Sequence, residues 1–185
     1  MSAQAAFRTK ILFDTNQLLQ RAKSEEEILS QTASQLMKLL NRSLIVYPEQ
    51  NGDLGSEQVF WVDGETAQNI FSAPEERDAA NWTFANKKRS GAGTDSYPDA
   101  KGLYLALRTG GGVFGVIGID LSEKPLDAFE NSVLLSILGE GALAIENRRN
   151  ALEKEQATVQ AKNEELRANL LRTISHDLRT PLTSI

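Results

Sequence analysis

The sequence predicts an α+β domain, in which an antiparallel sheet is flanked by helices, followed by one long C-terminal helix. Three observations support this fold class. Two amphipathic helical patterns open the chain, two pairs of short β-branched and aromatic runs follow, and the chain from Pro125 nearly to the end has a helical pattern. With 41 % hydrophobic and 24 % charged residues, the 185-residue chain suits one globular domain plus an appendage.

The spacing of apolar residues identifies the first two helices. Residues 4–23 carry apolar side chains three, four and seven positions apart, including Phe7 and Leu19. Ser24 and Glu27 then have the spacing of a capping box, in which each side chain satisfies a free backbone N–H at the start of a helix. We therefore predict a second helix that begins after Ser24 and continues to about Leu40.

Turn residues identify two hairpins. Residues 43–48 and 56–64 are extended in pattern, and Asn51-Gly52 between them favours a tight turn. Residues 103–109 and 113–120 form the second pair, joined by three glycines. The glycine pattern of residues 110–115 resembles a nucleotide-binding loop, but it lies between two strands, so a hairpin turn is predicted instead.

A helix is predicted between the hairpins, over residues 72–93. Ser72 and Glu75 have the spacing of a capping box, Pro74 suits the first turn, and Gly91 or Gly93 would end the helix. The basic cluster of residues 87–89 is expected to be a solvated helix end rather than an anion site.

The long C-terminal helix changes character midway. Up to Ile145 its apolar face is broad, as in a helix packed on a sheet, and the glycines of the segment GEGALA suggest close helix packing. Beyond Asn147 the stripe thins to Leu152, Val159 and Leu166, seven apart, which predicts a short two-stranded coiled coil.

Composition excludes several kinds of site. With no cysteine and a single histidine, the chain has no cluster of soft or borderline ligands to hold zinc and no thiol to attach a chromophore. A net charge of −5 argues against nucleic acid as a partner. No apolar run is long enough for a predicted membrane span, and no signal-peptide core is present.

The single histidine, His176, lies on the polar face of the predicted helix. At about 100° per residue, Ile174 and Leu178 share one face while His176 points away from both. A neutral imidazole can attack phosphorus with one nitrogen, and Asp177 could accept a hydrogen bond from the other. Pro181 cannot donate to the carbonyl of Asp177, so a bend is expected beside the histidine.

The segment SHDLRTPLTSI at residues 175–185 closely resembles the H-box of two-component sensor histidine kinases. The resemblance implies that His176 accepts the γ-phosphoryl group of ATP and passes it to an aspartate of a response regulator. It also implies that Asp177 assists this histidine and that Thr180 helps to position water for dephosphorylation of the regulator.

The preceding domain resembles a GAF domain of KdpD-type, potassium- and turgor-responsive sensor kinases. The resemblance rests on TNQLLQRAKSEEEIL, on ANWTFANKKRSGAGTDSYPDAKGLYLAL and on GVIGI. It implies a GAF-like sensory domain over residues 1–150, a coiled-coil linker over residues 151–165 and a truncated phosphoacceptor helix over residues 166–185. We find no cyclic-nucleotide signature, so any small-molecule ligand is unidentified.

The resemblance also implies partners and a location. The parent would be a membrane protein with this region in the cytoplasm, and would form a homodimer through its N-terminal and C-terminal helices. ATP and magnesium would bind in a separate kinase domain, so these residues alone are expected to hold no cofactor and to be inactive. The alternatives are a small-molecule-binding module or a dimerising spacer whose cavity is filled by Trp82, Phe84 or Tyr97.

Overall fold

The computed structural model describes residues 2–62 and 69–183, with side chains as far as Arg179. Its helices are α1 (Ala3–Arg21), α2 (Glu25–Leu40), α3 (Pro74–Asn86) and α4 (Ala128–Thr183). Its strands are β1 (Leu44–Gln50), β2 (Asp53–Leu54), β3 (Gln58–Phe60), β4 (Ser90–Gly91), β5 (Gly102–Thr109) and β6 (Gly112–Asp120). The chain divides into a first unit, Met1–Glu146, and a second unit, Asn147–Ile185.

The described strands form one antiparallel sheet in the order β2-β1-β6-β5-β4, with β3 also paired to β1. The predicted turn at Asn51-Gly52 is confirmed, because both residues have positive φ, 54° and 88°, and join β1 to β2. The second hairpin is also confirmed, since Thr109 of β5 pairs with Gly112 of β6. The last two residues of the predicted strand 56–64 lie outside the described residues.

The two faces of the sheet pack against different helices. On one face, α1, α2 and the first turns of α4 enclose the larger core, whose fully buried members include Leu36, Leu44, Ile117, Leu134 and Ile137. On the other face, α3 covers a smaller cluster around Tyr47 and Tyr104. The predicted α+β class with helices flanking an antiparallel sheet is therefore confirmed.

Helix α2 begins as predicted. The Ser24 hydroxyl accepts a hydrogen bond from the Glu27 N–H at 3.1 Å. The Glu27 carboxylate accepts from the N–H of Lys23, at 2.8 Å, rather than from that of Ser24. The cap at Ser24 is confirmed, and the reciprocal bond is made one residue earlier than in a standard capping box.

The predicted ends of α3 are wrong. The Ser72 hydroxyl donates to the carbonyl of Asn69 at 2.7 Å, within a short 3₁₀ turn, so it does not cap the helix with Glu75. Helix α3 ends at Asn86, and Lys87 takes the left-handed conformation, with a φ of 58°, that was expected of a glycine. Gly91 instead lies in β4, opposite Leu103.

Helix α4 begins with a capping box that was not predicted from the sequence. The Asp127 carboxylate accepts from the Glu130 N–H at 2.7 Å, and the Glu130 carboxylate accepts from the Asp127 N–H at 3.1 Å. Contrary to the expectation from the sequence, α4 is long and apolar enough to cross a membrane by length and composition, with one window of mean hydropathy 1.3. Its residues Val133, Leu134 and Ile137 are buried in the larger core, as in the core helix of a globular domain.

A buried arginine holds the loop that precedes α4. Arg42 is only 8 % exposed, and its Nη1 donates to the carbonyls of Asp120, at 3.1 Å, and Lys124, at 2.7 Å. Its Nη2 donates to the carbonyl of Pro125 at 3.1 Å. The guanidinium therefore links the segment after α2 to the end of β6 and to the loop that leads into α4.

Replacing either of two glycines of α4 by alanine is expected to change the free energy of unfolding, in opposite directions at the two positions. A Cβ at Gly139 would meet nothing within 4 Å, so Gly139→Ala should raise the free energy of unfolding by about 0.5–1 kcal/mol. A Cβ at Gly141 would lie 2.7 Å from Oγ1 of Thr32, which is buried and bonded to the carbonyl of Ile28. Gly141→Ala should therefore lower the free energy of unfolding by about 1–3 kcal/mol.

Urea unfolding of the two variants measures this difference, and each is the other's control for helix propensity. Changes of the same sign would contradict the packing described here. The close helix packing expected for the segment GEGALA is confirmed at Gly141 and is wrong for Gly139.

Candidate functional site

His176 and Asp177 lie in the part of α4 that belongs to the second unit. Their side chains are 81 % and 75 % exposed, and the distance from Nδ1 of His176 to Oδ1 of Asp177 is 3.7 Å. This is an ion-pair distance when the imidazole is protonated, but it is too long for a hydrogen bond. Ile174 and Leu178 are exposed as well, so exposure does not distinguish the two helix faces here.

The third predicted site residue, Thr180, has a side chain that lies outside the described residues. The backbone of α4 is helical through Pro181 to Thr183. The roles of His176, Asp177 and Thr180, and the bend expected near Pro181, stay predictions.

The second unit carries a continuous row of exposed apolar side chains, which we call the C-terminal stripe. Its members are Leu152, Val159, Leu166, Leu170, Ile174 and Leu178. They are spaced seven apart and then four apart, so they share one face of the helix. Such a face is typical of a helix that packs against another helix.

In the first unit, the space between the sheet and α3 is filled by side chains. Tyr47, Tyr104 and Phe71 pack there with small residues of α3. Of the three aromatic residues expected to fill this space, Phe84 is partly buried and packs against the cluster, whereas Tyr97 is exposed and the partly buried Trp82 is not among the residues that pack there. The expectation is therefore correct for Phe84 alone among these three, and the two tyrosines fill most of the space.

A buried carboxylate ties α3 to β5. Glu76 is 2 % exposed, and its Oε1 accepts from the Lys101 N–H at 2.6 Å. Its Oε2 accepts from the Gly102 N–H at 3.2 Å and from the Tyr104 hydroxyl at 2.5 Å. Three donors therefore compensate the cost of burying this side chain.

The same surroundings raise the pKa of both tyrosines. Burial, and after it the hydrogen bond to Glu76, raises the pKa of Tyr104 well above its ordinary value. Burial, and after it the Glu57 carboxylate, raises the pKa of Tyr47 to about 12, although the Arg77 guanidinium, 4.9 Å from the ring centroid, acts in the opposite direction. Both phenols therefore stay protonated at neutral pH, and that of Tyr104 donates to Glu76.

The role of Glu76 was not predicted from the sequence, although a signal was present. Glu76, Ala79, Ala80 and Thr83 follow the spacing of a buried helix face, and all four are buried. A charged residue on an otherwise small and apolar face indicates a buried polar contact. Its partners are 25 to 28 positions away, so spacing alone could not identify them.

A cavity of about 380 Å³ lies beside Glu76. Polar and charged residues form much of its lining, which includes Asn69, Ser72, Glu75, Asp99 and Lys101. Within residues 2–62 and 69–183, no group of three or more histidine, aspartate or glutamate side chains could hold a metal ion. The cavity could therefore admit a small polar molecule, whose chemistry its mixed lining does not specify.

Comparison with solved structures identifies the fold as that of a GAF domain. The crystal structure of the GAF domain of the potassium sensor histidine kinase KdpD from Escherichia coli aligns with a TM-score of 0.58 and 20 % identity, covering 82 % of this chain and 99 % of that one. The GAF domain of a phosphoenolpyruvate-protein phosphotransferase from Acinetobacter aligns with a TM-score of 0.56 and 10 % identity, covering 81 % of this chain and 97 % of that one. No protein-family model matches the chain.

Sequence comparison identifies particular relatives. The chain is 35 % identical to the sensor protein KdpD of Clostridium acetobutylicum over 179 residues, which is 96 % of this chain. It is 28 % identical to KdpD of Escherichia coli K12 over 179 residues, or 95 % of this chain. The chain covers only 20 % and 19 % of the lengths of these two relatives. It is therefore a homologue of one segment of the KdpD sensor proteins, with the fold of a sensor-kinase GAF module.

Proposed function

We propose that this chain is the GAF module and phosphoacceptor helix of a KdpD-like sensor histidine kinase for potassium or osmotic signalling. In the whole protein, a ring nitrogen of His176 attacks the γ-phosphorus of ATP, the bond to the bridging oxygen breaks, and ADP leaves. The phosphoryl group is then transferred to an aspartate carboxylate of a response regulator. The observation that carries the proposal is that the one histidine of the chain lies exposed on α4, beside a carboxylate.

The exposure of His176 suits a group that must meet two different proteins in turn. An ATP-binding domain and a response regulator both need access to the imidazole, and a buried ring would exclude them. A hydrogen bond between the two side chains would require a rotation that shortens the 3.7 Å separation. In that geometry the carboxylate orients the imidazole so that the other nitrogen faces the phosphorus.

The proposed kinase acts as a homodimer joined through its N-terminal and C-terminal helices. The C-terminal stripe supports this, as do Phe7 and Phe13, which are exposed on α1. The GAF module would change the activity by favouring one arrangement of the paired helices over another. The cavity beside Glu76 is the proposed place for a small-molecule ligand, and the parent would be a membrane protein with this region in the cytoplasm.

Replacing His176 by glutamine is expected to abolish phosphorylation of the full-length kinase by ATP. The amide cannot act as the nucleophile, and it keeps a polar side chain on an exposed helix, so folding should be unaffected. Incorporation of labelled phosphate, stable to base and labile to acid, measures the effect.

Asn169→Gln, a conservative exposed change on the same helix, is the control and should retain full incorporation. The 185 residues alone should incorporate no label, because ATP would bind in a separate domain. Acid-labile phosphate retained on the His176→Gln kinase would refute the proposed acceptor.

Thr180→Ala is expected to slow dephosphorylation of the regulator by about tenfold or more, while autophosphorylation of the kinase changes little. The proposed hydroxyl only positions a water molecule, so its contribution is expected to lie below the roughly 10²–10⁴-fold of general acid–base groups. The decay of phosphorylated regulator, followed with and without kinase, measures the rate. A fall in autophosphorylation with unchanged decay of the regulator would contradict this role, because Thr180 would then act in autophosphorylation rather than in dephosphorylation.

A second candidate function is a GAF module that binds a small molecule or only dimerises and has no activity of its own. The filled space between the sheet and α3 favours the dimerising form of this candidate. A metabolite at a hundred times its Kd would stabilise the fold by about 2.7 kcal/mol, so thermal-shift screening distinguishes the binding form from the dimerising form.

A further inference from the structure

One edge of the sheet is mostly unpaired. Strand β4 pairs with β5 only at Leu103 and Tyr104, while β6 occupies the other side of β5 along its whole length. In the part of the chain that the structure describes, no strand pairs with residues 105–109 on the β4 side. Alternate backbone N–H and C=O groups of this stretch can therefore receive another strand.

A groove of about 240 Å³ runs along this edge. Its apolar lining comes from Leu105 and Ala106 of β5 and from Leu135 and Leu138 of α4, and Leu135 is 48 % exposed. Gly139 leaves the groove open, because a Cβ there would meet nothing within 4 Å. An exposed leucine beside an open strand edge is an apolar surface that a partner could cover.

The rim of the groove is positively charged. Lys87, Arg89 and Arg108 line it, and all three are exposed. No ion pair involving them is found among the described residues. Three cations together are notable in a chain whose net charge is −5, and they select for a partner that carries carboxylates.

We propose that this edge binds an extended acidic peptide segment of another protein, which adds to the sheet beside residues 105–109. Backbone hydrogen bonds to β5 would supply affinity, and alternate side chains would meet the apolar lining and the basic rim. The groove is smaller than the roughly 300–1,000 Å³ of sites for drug-sized ligands, which favours a peptide over a small molecule. This role is separate from the chemistry proposed for His176.

Basic residues can also serve only to prevent strand edges from aggregating. That explanation accounts for the charges, but it needs neither an open groove nor an exposed leucine. The two explanations differ in what the edge should bind. If the basic residues only prevent aggregation, acidic peptides should be attracted by charge alone. If the edge binds a peptide strand, binding should also depend on the backbone N–H groups of the peptide.

The test uses the 185-residue chain and an eight-residue peptide in which glutamate alternates with valine. Titration followed by amide NMR should show saturable shifts concentrated in residues 105–109, with slower hydrogen exchange at alternate positions. The same peptide N-methylated at alternate residues should bind at least about tenfold more weakly, because it cannot complete the backbone ladder. A lysine-for-glutamate peptide should not bind.

Matched variants distinguish binding in the groove from nonspecific electrostatic attraction. Arg89→Glu and Arg108→Glu should each weaken binding about tenfold, whereas Lys88→Glu, next to the groove but not lining it, should have little effect. Gly139→Leu should fill the groove and block binding without changing the charge.

Three outcomes would overturn the proposal. They are no saturable binding at about 1 mM peptide, equal binding of the N-methylated peptide, and shifts of residues 105–109 that appear with rising protein concentration in the absence of peptide. The third would mean that a second copy occupies the edge.

Discussion

Glu76→Ala is expected to lower the free energy of unfolding by about 3–5 kcal/mol. The change leaves the Gly102 N–H and the Tyr104 hydroxyl without their acceptor in a buried region, and it also removes the acceptor of the Lys101 N–H. Each buried donor without a partner costs about 1–3 kcal/mol. The loss also separates α3 from β5, so the cluster around Tyr47 and Tyr104 should loosen.

Glu75→Ala is the matched control, because Glu75 precedes Glu76 on the same helix and is exposed. Its effect should stay within about 0.5 kcal/mol. Urea unfolding followed by circular dichroism measures both variants, and near-ultraviolet signals report the tyrosine environment directly. A Glu76→Ala protein within about 1 kcal/mol of the original would show that the buried network contributes little.

Arg42→Ala should lower the free energy of unfolding by about 3–4 kcal/mol, since three carbonyl groups lose a charged donor together. The carbonyls of Lys124 and Pro125 belong to the loop that leads into α4, so amide exchange at the first turn of that helix should also increase. Hydrogen-exchange mass spectrometry measures the local effect and urea unfolding the global one.

Arg21→Ala, at the exposed end of α1, is the control and should cost at most about 0.5 kcal/mol. Lysine at position 42 should rescue little, because a single ammonium cannot reproduce the fork that reaches three carbonyls. Full rescue by lysine would mean that charge, rather than the geometry of the guanidinium, holds the loop.

The parts of the fold that local chemistry determines were predictable. Asn51-Gly52 specifies a tight turn whatever the rest of the chain does, and Ser24 caps α2 through an N–H three residues away. The contacts made by Glu76 and Arg42 were not predictable. Their partners lie 25 to 28 and 78 to 83 positions away, so they meet only after the sheet has brought distant segments together.

The errors at α3 have a similar cause. Ser72 can either cap the following helix or close the preceding 3₁₀ turn, and the choice depends on where Asn69 lies. Lys87 adopts a conformation usually left to glycine at the end of α3. The glycine expected there, Gly91, lies four residues later in β4, where a Cβ would be 2.0 Å from the carbonyl oxygen of Gly102. Tertiary demands therefore override the local preference.

The candidate phosphoacceptor site differs both from the elements that local chemistry determines and from those that tertiary contacts determine. Its residues were identified by resemblance to a short motif, and an exposed helix adds few contacts by which geometry could test the assignment. His176 and Asp177 have the accessibility that the chemistry needs. The proposed roles require an ATP-binding domain and a response regulator to reach these side chains in turn, so kinetics of the proposed full-length kinase will test them.

The C-terminal stripe has a thermodynamic consequence for the segment that carries it. Every residue from 150 to 179 is exposed, so this length of helix gains almost no free energy from packing within its own chain. If the proposed homodimer forms through this stripe, association stabilises the segment: its helical content and melting temperature should rise with protein concentration, whereas those of the first unit should depend on it much less.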